Sequence, residues 1–394
     1  MYSKVLVPID NSPFSNNAVG VGVDLASRLG SNLTGCHVYA ARLHDARFRQ
    51  MEAGLPDRYQ EEDELRRQRQ VHDSLITQGL QLISNSYLDV FEERCREAGV
   101  PCRRRLLEGT NYLELTQEVR TGGYDLVVMG KQGMGAVEGN PMGSVCERVV
   151  RKIRADVLVA KDGSPLGQNI AVAVDGSPQS LAALKAALAL AKALDGRVEA
   201  IAAFDPEFHI VAFRSIAGVL SPEAAKVFRL REQEKLHDEI IHKGLEKIYR
   251  GHLDTAAGIA RSEGVPITTT LLAGKPFHRI LQHLEERRPS LLVVGRFGAH
   301  ATGSLDMGNT AENLLRFSGC HILITSGEVS LQETTPARKA AGIPWAEEAE
   351  ARLQNVPPFV RGMARQAIEE YALSHGFGEV TAEVMTEARE KMGM

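Results

Sequence analysis

The 394-residue sequence is poor in cysteine and in aromatic side chains, with five cysteines, one tryptophan and an aromatic share of 5%. Cys36, Cys95, Cys102, Cys146 and Cys320 lie far apart, with no CxxC pair and no histidine at zinc-finger spacing. That excludes a disulfide scaffold and reads as reduced thiols in a cytoplasmic protein. The pairs His237 and His242, and His278 and His283, are five apart, whereas two ligands on one helical face want three or four. No metal site is expected. A formal net charge of -4 supplies no basic field for nucleic acid. No apolar run approaches the roughly 18 residues of a membrane span, and Lys4 leads straight into VLVPI without a signal-peptide core, so neither a membrane nor that export route is expected. What remains is 43% hydrophobic and 24% charged, the composition of a soluble chain with length for two or three domains of roughly 150 residues.

The chain does contain a long internal duplication. KVLVPIDNSPFS, with Asp10, Ser12, Pro13 and Ser15, returns 165 residues later as IAVAVDGSPQS, with Asp175, Ser177, Pro178 and Ser180. At the same offset Gly99-Val100-Pro101 returns as Gly264-Val265-Pro266, Gly109 as Gly274, DLVVMG ending at Gly130 as LLVVG ending at Gly295, and ADVLVAK from Ala155 as CHILITS from Cys320. One unit of about 160 residues has been doubled.

Each copy alternates strand and helix. In copy one, VLVPI is a short continuous apolar run, the form of a strand buried on both faces. Ser12 or Ser15 can cap a helix from about Asn16 to Leu29, and Gly30 sits where a helix stops. LTGCHVYA is strand two; the charged EEDELRRQRQ reads as a solvated helix face within a helical region reaching Ala98. Strand three near CRRRLLEG, a helix from Tyr112 to Arg120, strand four at DLVVMG, a helix around Ser144 to Arg154 and strand five at VLVA complete the unit. This order predicts a doubly wound, five-stranded parallel sheet, built twice in tandem. In copy two the region between Asp205 and Leu245 is again charged and helical. The expected boundaries are 1–162 and 166–327 for the two α/β domains, 328–343 for a polar linker and 344–394 for a small helical domain. Its three short helices, roughly 345–354, 358–375 and 381–392, are broken by Pro357-Pro358 and Gly376-Phe377-Gly378. So short a piece buries little core on its own and is expected to dock.

After strand four, copy one reads Gly130-x2-Gly133-x9-Gly143-Ser144-Val145. Glycines at the carboxyl end of a parallel strand let backbone amides approach phosphate oxygens, and the following helix offers free N–H groups and a positive dipole end. Copy two repeats the pattern as Gly295-x2-Gly298-x9-Gly308-Asn309-Thr310. Asp10 and Asp175 can be read as mere caps of the next helix, but each shares a sheet edge with its glycine motif, where ligands of open α/β sheets bind. Lys131 and Arg296, between the first two glycines, are either phosphate counter-charges or solvated loop cations.

On these residues, about 1–326 resembles the ATP-binding subgroup of the universal stress protein family in tandem form, with a Rossmann-like fold. The resemblance implies an ATP site, with magnesium as the nucleotide's usual companion, in which Pro8 and Asp10 sit at adenine and ribose, Val38 lines the base pocket, Gly130, Gly133, Gly143, Ser144 and Val145 lie at the phosphates, and Met129 belongs to the same site. The corresponding second site uses Asp175, Gly295, Gly298, Gly308, Asn309 and Thr310. It departs from the pattern at Ala173, where copy one has Pro8, and at Asn309, where the family wants Ser or Thr, so weaker, altered or absent binding is expected there. The resemblance also implies pairing of the two copies through their fifth strands and is compatible with a further homodimer.

The tail resembles the small C-terminal domain found on one of the subunits of light-independent protochlorophyllide reductases. Trp345, Ala349, Leu353, Pro357, Phe359, Val360, Arg361, Arg365, Glu369, Tyr371, Ala372, Gly376 and Thr381-Ala382-Glu383-Val384 carry the likeness. The tail has no cysteine, so iron–sulfur chemistry is not inferred; a docking module for a protein partner, with Arg361 and Arg365 beside Phe359, or a lid on the core, are the readings. The chain has no G-x4-G-K-[ST], no kinase-type lysine and catalytic loop, and no Ser-Gly-Gly loop after strand one. The expected function is therefore a nucleotide-dependent stress regulator rather than an ATP-consuming enzyme. Two other readings stand beside it: a slow ATPase or autophosphorylating enzyme, and a nucleotide-free scaffold whose tail binds a reductase or tetrapyrrole.

Overall fold

The computed structural model describes residues 1–206, 242–299, 306–329, 343–354 and 371–392, with 365, 368 and 369. His237, most of the charged stretch expected to be helical in copy two, and Pro357, Phe359, Val360, Arg361 and Met363 of the tail lie outside the described residues. Copy one runs β1 (Lys4–Pro8), α1 (Pro13–Leu29), β2 (Asn32–Tyr39), α2 (Ala41–Met51), α3 (Glu62–Glu97), β3 (Cys102–Glu108), α4 (Asn111–Gly122), β4 (Leu126–Gly130), α5 (Ser144–Lys152) and β5 (Asp156–Ala160). Copy two runs β6 (Asn169–Ala173), α6 (Pro178–Ala193), β7 (Arg197–Phe204), α7 (His242–Ser262), β8 (Ile267–Ala273), α8 (Pro276–Arg287), β9 (Leu291–Gly295), α9 (Asn309–Phe317) and β10 (His321–Thr325).

Local chemistry sets these boundaries. Ser12 accepts the Ser15 amide at 3.1 Å and Pro13 occupies the first helical position, where its missing N–H costs nothing, so α1 begins at Pro13 rather than at Asn16. Ser177, Pro178 and Ser180 repeat the device at the start of α6. Gly30 ends α1 at φ 67°, a left-handed conformation that glycine adopts without strain. β4 and β9 are buried along their whole length, as their unbroken apolar runs require.

The strands form one ten-stranded sheet in the order β3-β2-β1-β4-β5-β10-β9-β6-β7-β8. Within each copy all neighbours are parallel; the single antiparallel pairing is the seam, where Ile322, Leu323 and Ile324 of β10 face Val159, Leu158 and Val157 of β5. Leu158 and Leu323 are equivalent at the repeat offset and face each other, so a pseudo-twofold axis passes through that pair. Helices cover both faces. Val5 and Val7 of β1 join the layer containing residues of α1, α3 and α6, and Leu6 joins the layer containing residues of α4, α5 and α9.

Met1–Ser330 is one compact unit and Leu331–Met394 a second. The second contains α10 (Glu347–Gln354) and α11 (Ala382–Met392). It has a small core of its own, built from Ile343, Ala349, Ile368, Tyr371, Ala372, Val380, Val384 and Ala388. Trp345 bridges to Val380, and its indole N–H donates to Glu369 at 2.9 Å.

Candidate functional site

The order β2-β1-β4 places a topological switch point between β1 and β4, whose carboxyl ends open a crevice. All nine residues read from the sequence of copy one, Pro8, Asp10, Val38, Met129, Gly130, Gly133, Gly143, Ser144 and Val145, line a single cavity there of about 640 Å³. Two glycines are required by close approach. A Cβ on Gly130 would stand 2.5 Å from the carbonyl oxygen of Phe14, and one on Gly133 would run into Asp10 Oδ2. The loop closes where the Gly143 amide donates to the Lys131 carbonyl at 2.8 Å. Gly143 then caps α5 without any side-chain hydrogen bond, which leaves the first-turn amides, beginning at Ser144, to a ligand or solvent.

Asp10 does more than cap the next helix. Its Oδ1 accepts the Ser12 amide at 3.0 Å, and its Oδ2 accepts the Met134 amide at 2.9 Å, across 124 residues of chain. It thereby ties the β1–α1 turn to the glycine loop. Asn11 supports the turn at φ 58°, a conformation that Asn tolerates.

Sequence reasoning missed one wall of this cavity. Leu80, Ile83, Ser84 and Tyr87 of α3 line it, and His37 lies between them and β1. The signal was present as an i, i+3, i+4, i+7 stripe, hidden inside a 36-residue helix that is otherwise largely exposed. His37 donates from Nδ1 to the Ile9 carbonyl at 2.5 Å and packs edge-on against Tyr87, with centroids 5.3 Å apart. Below the floor, burial would raise the Glu118 carboxyl, but the Arg105 guanidinium (3.0 and 2.9 Å) and the Tyr124 hydroxyl (2.9 Å) hold it below its ordinary value. Burial pushes the Cys36, Cys95 and Cys146 thiols up to about 12, so none is an activated nucleophile.

Copy two repeats the scaffold. Asp175, Gly295, Gly298, Gly308, Asn309 and Thr310 line one cavity of about 270 Å³, measured among the described residues. Asp175 braces its turn to its loop through the Ser177 amide (3.0 Å) and the Ala299 amide (2.8 Å). The lining differs: Tyr249 stands where copy one has Ser84, Phe297 where it has Gln132, and Ala203 where it has Val38.

Neither loop cation faces its cavity. Lys131 Nζ lies 5.5 Å from the centre of the Phe14 ring. Arg296 is 5% exposed and reaches across the seam, donating from Nη1 to the Val150 carbonyl at 2.5 Å and from Nε to Ser326 Oγ at 3.0 Å. Arg365 of the tail lies over the Trp345 ring at 4.8 Å and pairs with Glu350 and Glu369, within its own unit. Among the described residues no helix is long and apolar enough to cross a membrane.

Comparison with known proteins places both parts of the chain. The universal stress protein family model matches residues 1–161 and again 167–326, and the model for the proto-chlorophyllide reductase 57 kD subunit matches 345–389. Universal stress protein YxiE of Bacillus subtilis is 30% identical over 153 residues, 39% of this chain and 95% of its own length. One of the light-independent protochlorophyllide reductase subunits of Roseiflexus sp. is 42% identical over 66 residues, and the chain spans only 12% of that protein's length. The crystal structure of a universal stress protein from Archaeoglobus fulgidus superposes with a TM-score of 0.53 at 16% identity, over 82% of this chain and 98% of that one, a likeness of fold. The chain belongs to the universal stress protein family, as two tandem domains followed by a segment of protochlorophyllide reductase type.

Proposed function

We propose that this tandem member of the family binds ATP in copy one and acts in the cytoplasm as a nucleotide-dependent stress regulator. The observation that carries the reading is the convergence of the nine residues on one cavity in which Gly130 and Gly133 admit no side chain and whose rim is an uncapped helix start. Bound ATP, with its magnesium, supplies anionic phosphates to the α5 amides and Ser144, and a flat apolar base to Pro8, Val38 and Met129. Asp10 spends both oxygens on backbone amides, so it braces the loop instead of accepting a proton from water. Binding that favours one arrangement of the loop gives a partner something to read.

Copy two is assigned weaker binding, because Tyr249 and Phe297 add bulk to its lining and Asn309 replaces the serine. The domain limits that accompany the reading are 1–162, 166–327 and 344–394. The last is assigned as a protein-interaction module, since it resembles part of an otherwise different protein. The test is mass spectrometry of ligand released on denaturation, with its stoichiometry. One ATP per chain supports the assignment and two extend it to copy two; no nucleotide, and no binding on adding ATP, overturns it. Phosphate release no faster than in a Gly143 variant separates a switch from a hydrolase.

A further inference from the structure

A cavity of about 810 Å³, measured among the described residues, lies between the copies and adjoins the copy-two crevice at Phe297 and Gly298. Copy one contributes Arg120 from α4, Arg151 and Lys152 from α5, and Arg154; copy two contributes Arg296 and the first turn of α6 at Ser177, Pro178 and Gln179. Asp306 and Glu328 also line it, and Glu328 accepts from Gln179 Nε2 at 3.2 Å. Arg151 is committed to Glu312 at 2.5 Å. Arg120, Lys152 and Arg154 are exposed and make no ion pair among the described residues.

Arg296 makes this more than a solvated rim. It is 5% exposed, two of its nitrogens are bonded to Ser326 and Val150, and its Nη2 is buried with no partner. A buried guanidinium with an unsatisfied donor is uncommon, because the desolvated N–H has lost its water without replacement. Burial lowers the pKa of the group from its ordinary value, and the nearby Asp156 and Asp306 offset this only in part.

The basic character does not come with the fold. At the repeat offset, Arg120, Lys152 and Arg154 correspond to Glu285, Phe317 and Gly319, and Arg296 to Lys131. The pseudo-equivalent place therefore has an acid, an aromatic ring and no side chain where this one has three cations. Three unpaired cations beside a buried guanidinium suit several phosphate oxygens, and the volume lies within the range of small-ligand sites.

We infer that this cavity binds a small anion carrying a chain of phosphates, held by Arg120, Lys152 and Arg154, with the buried Arg296 guanidinium as a fixed positive charge beside them. The test uses a G133V background, full-length protein bearing Gly133→Val to remove the copy-one crevice and Thr310→Glu to set a carboxylate in the copy-two crevice outside this cavity, so the outcome is independent of the ATP assignment. Calorimetric titration with inorganic tripolyphosphate is expected to show one salt-sensitive site per chain. R120E/R154E is expected to weaken it roughly tenfold or more, as charge-assisted contacts become repulsive, while ATP binding by the protein with Gly133 intact stays unchanged. K152Q, a neutralisation at an exposed helix end, gives a second reading if the double variant folds poorly by thermal melting. Competition with ATP in the G133V background tells the two sources apart: displacement means that a nucleotide's phosphate chain fits, and no displacement means a free chain. Absence of tripolyphosphate binding, or equal affinity in R120E/R154E and K152Q, overturns the inference.

Discussion

Where copy one holds Lys131 over the Phe14 ring, copy two sends the equivalent Arg296 across the seam to the Val150 carbonyl. The matching carbonyl on the other side, Leu315, is taken by Lys161 Nζ at 2.5 Å, from a position whose equivalent is Ser326. A similar exchange occurs under the two cavities. In copy one the buried acid Glu118 meets Arg105 and Tyr124; in copy two His283 replaces that acid, and both it (2.8 Å) and Thr270 (2.6 Å) contact Glu199 of β7. The backbone devices, by contrast, recur unchanged: serine cap with proline, aspartate brace, glycine loop, bare helix start. Backbone geometry admits one solution, so each device recurs, whereas a buried polar requirement is met by whichever neighbour can reach it.

The largest effect expected from breaking this comparison is at the braces. Gly133→Val forces Asp10 off the loop and should weaken ATP binding by roughly 100-fold, about the loss of one or two charge-assisted hydrogen bonds, whereas Gly298→Val should leave the tighter site unchanged in calorimetry. Next is a pH effect at the seam, where burial pushes the Lys161 ammonium down to about 8. Between pH 8 and the ordinary lysine value the unfolded chain holds a proton that the folded chain lacks, so stability gains with rising pH in that window and the gain is absent below it. Urea unfolding at pH 7 and pH 10 should show the wild type gaining about 2 to 3 kcal/mol relative to Lys161→Met. The cysteines raised by burial act in the opposite sense in both proteins and cancel in the difference.

Arg296→Met should cost about 2 kcal/mol by urea unfolding, because it orphans the Val150 carbonyl and takes one donor from Ser326, while Lys131→Met should cost less than about 1 kcal/mol. The smallest effect sharpens the symmetry. Arg151 pairs with Glu312 and Arg316 with Glu147, each at 2.5 Å, in a ring that the pseudo-twofold axis maps onto itself. Arg151→Ala and Arg316→Ala should each cost about 1 kcal/mol, and markedly unequal losses would show that the seam is not symmetric in energy.

Much of the site is legible in the sequence because it rests on local rules. Asp10, the glycines and the bare start of α5 sit within or beside their own strand and turn, and the repeat supplies each with a second copy to check against. The α3 wall is less legible, since four cavity residues are few against a long solvated helix. The surroundings of Arg365 are not legible either: its spacing carries no sign of the Trp345, Glu350 and Glu369 that the fold places around it. The tail, expected to lean on a neighbour for burial, has an apolar cluster of its own.

The sequence by itself determined the duplication, the alternation of strand and helix, the caps and the phosphate-type loops, because these depend on spacing and on backbone preferences of a few adjacent residues. Only the tertiary structure decided which carbonyl each seam cation satisfies, which acid lies under each cavity, and that one side of the seam gathers uncommitted arginines. Those outcomes depend on which side chains the antiparallel β5–β10 pairing brings within reach, and residues more than a hundred positions apart carry no mark of it in their local sequence.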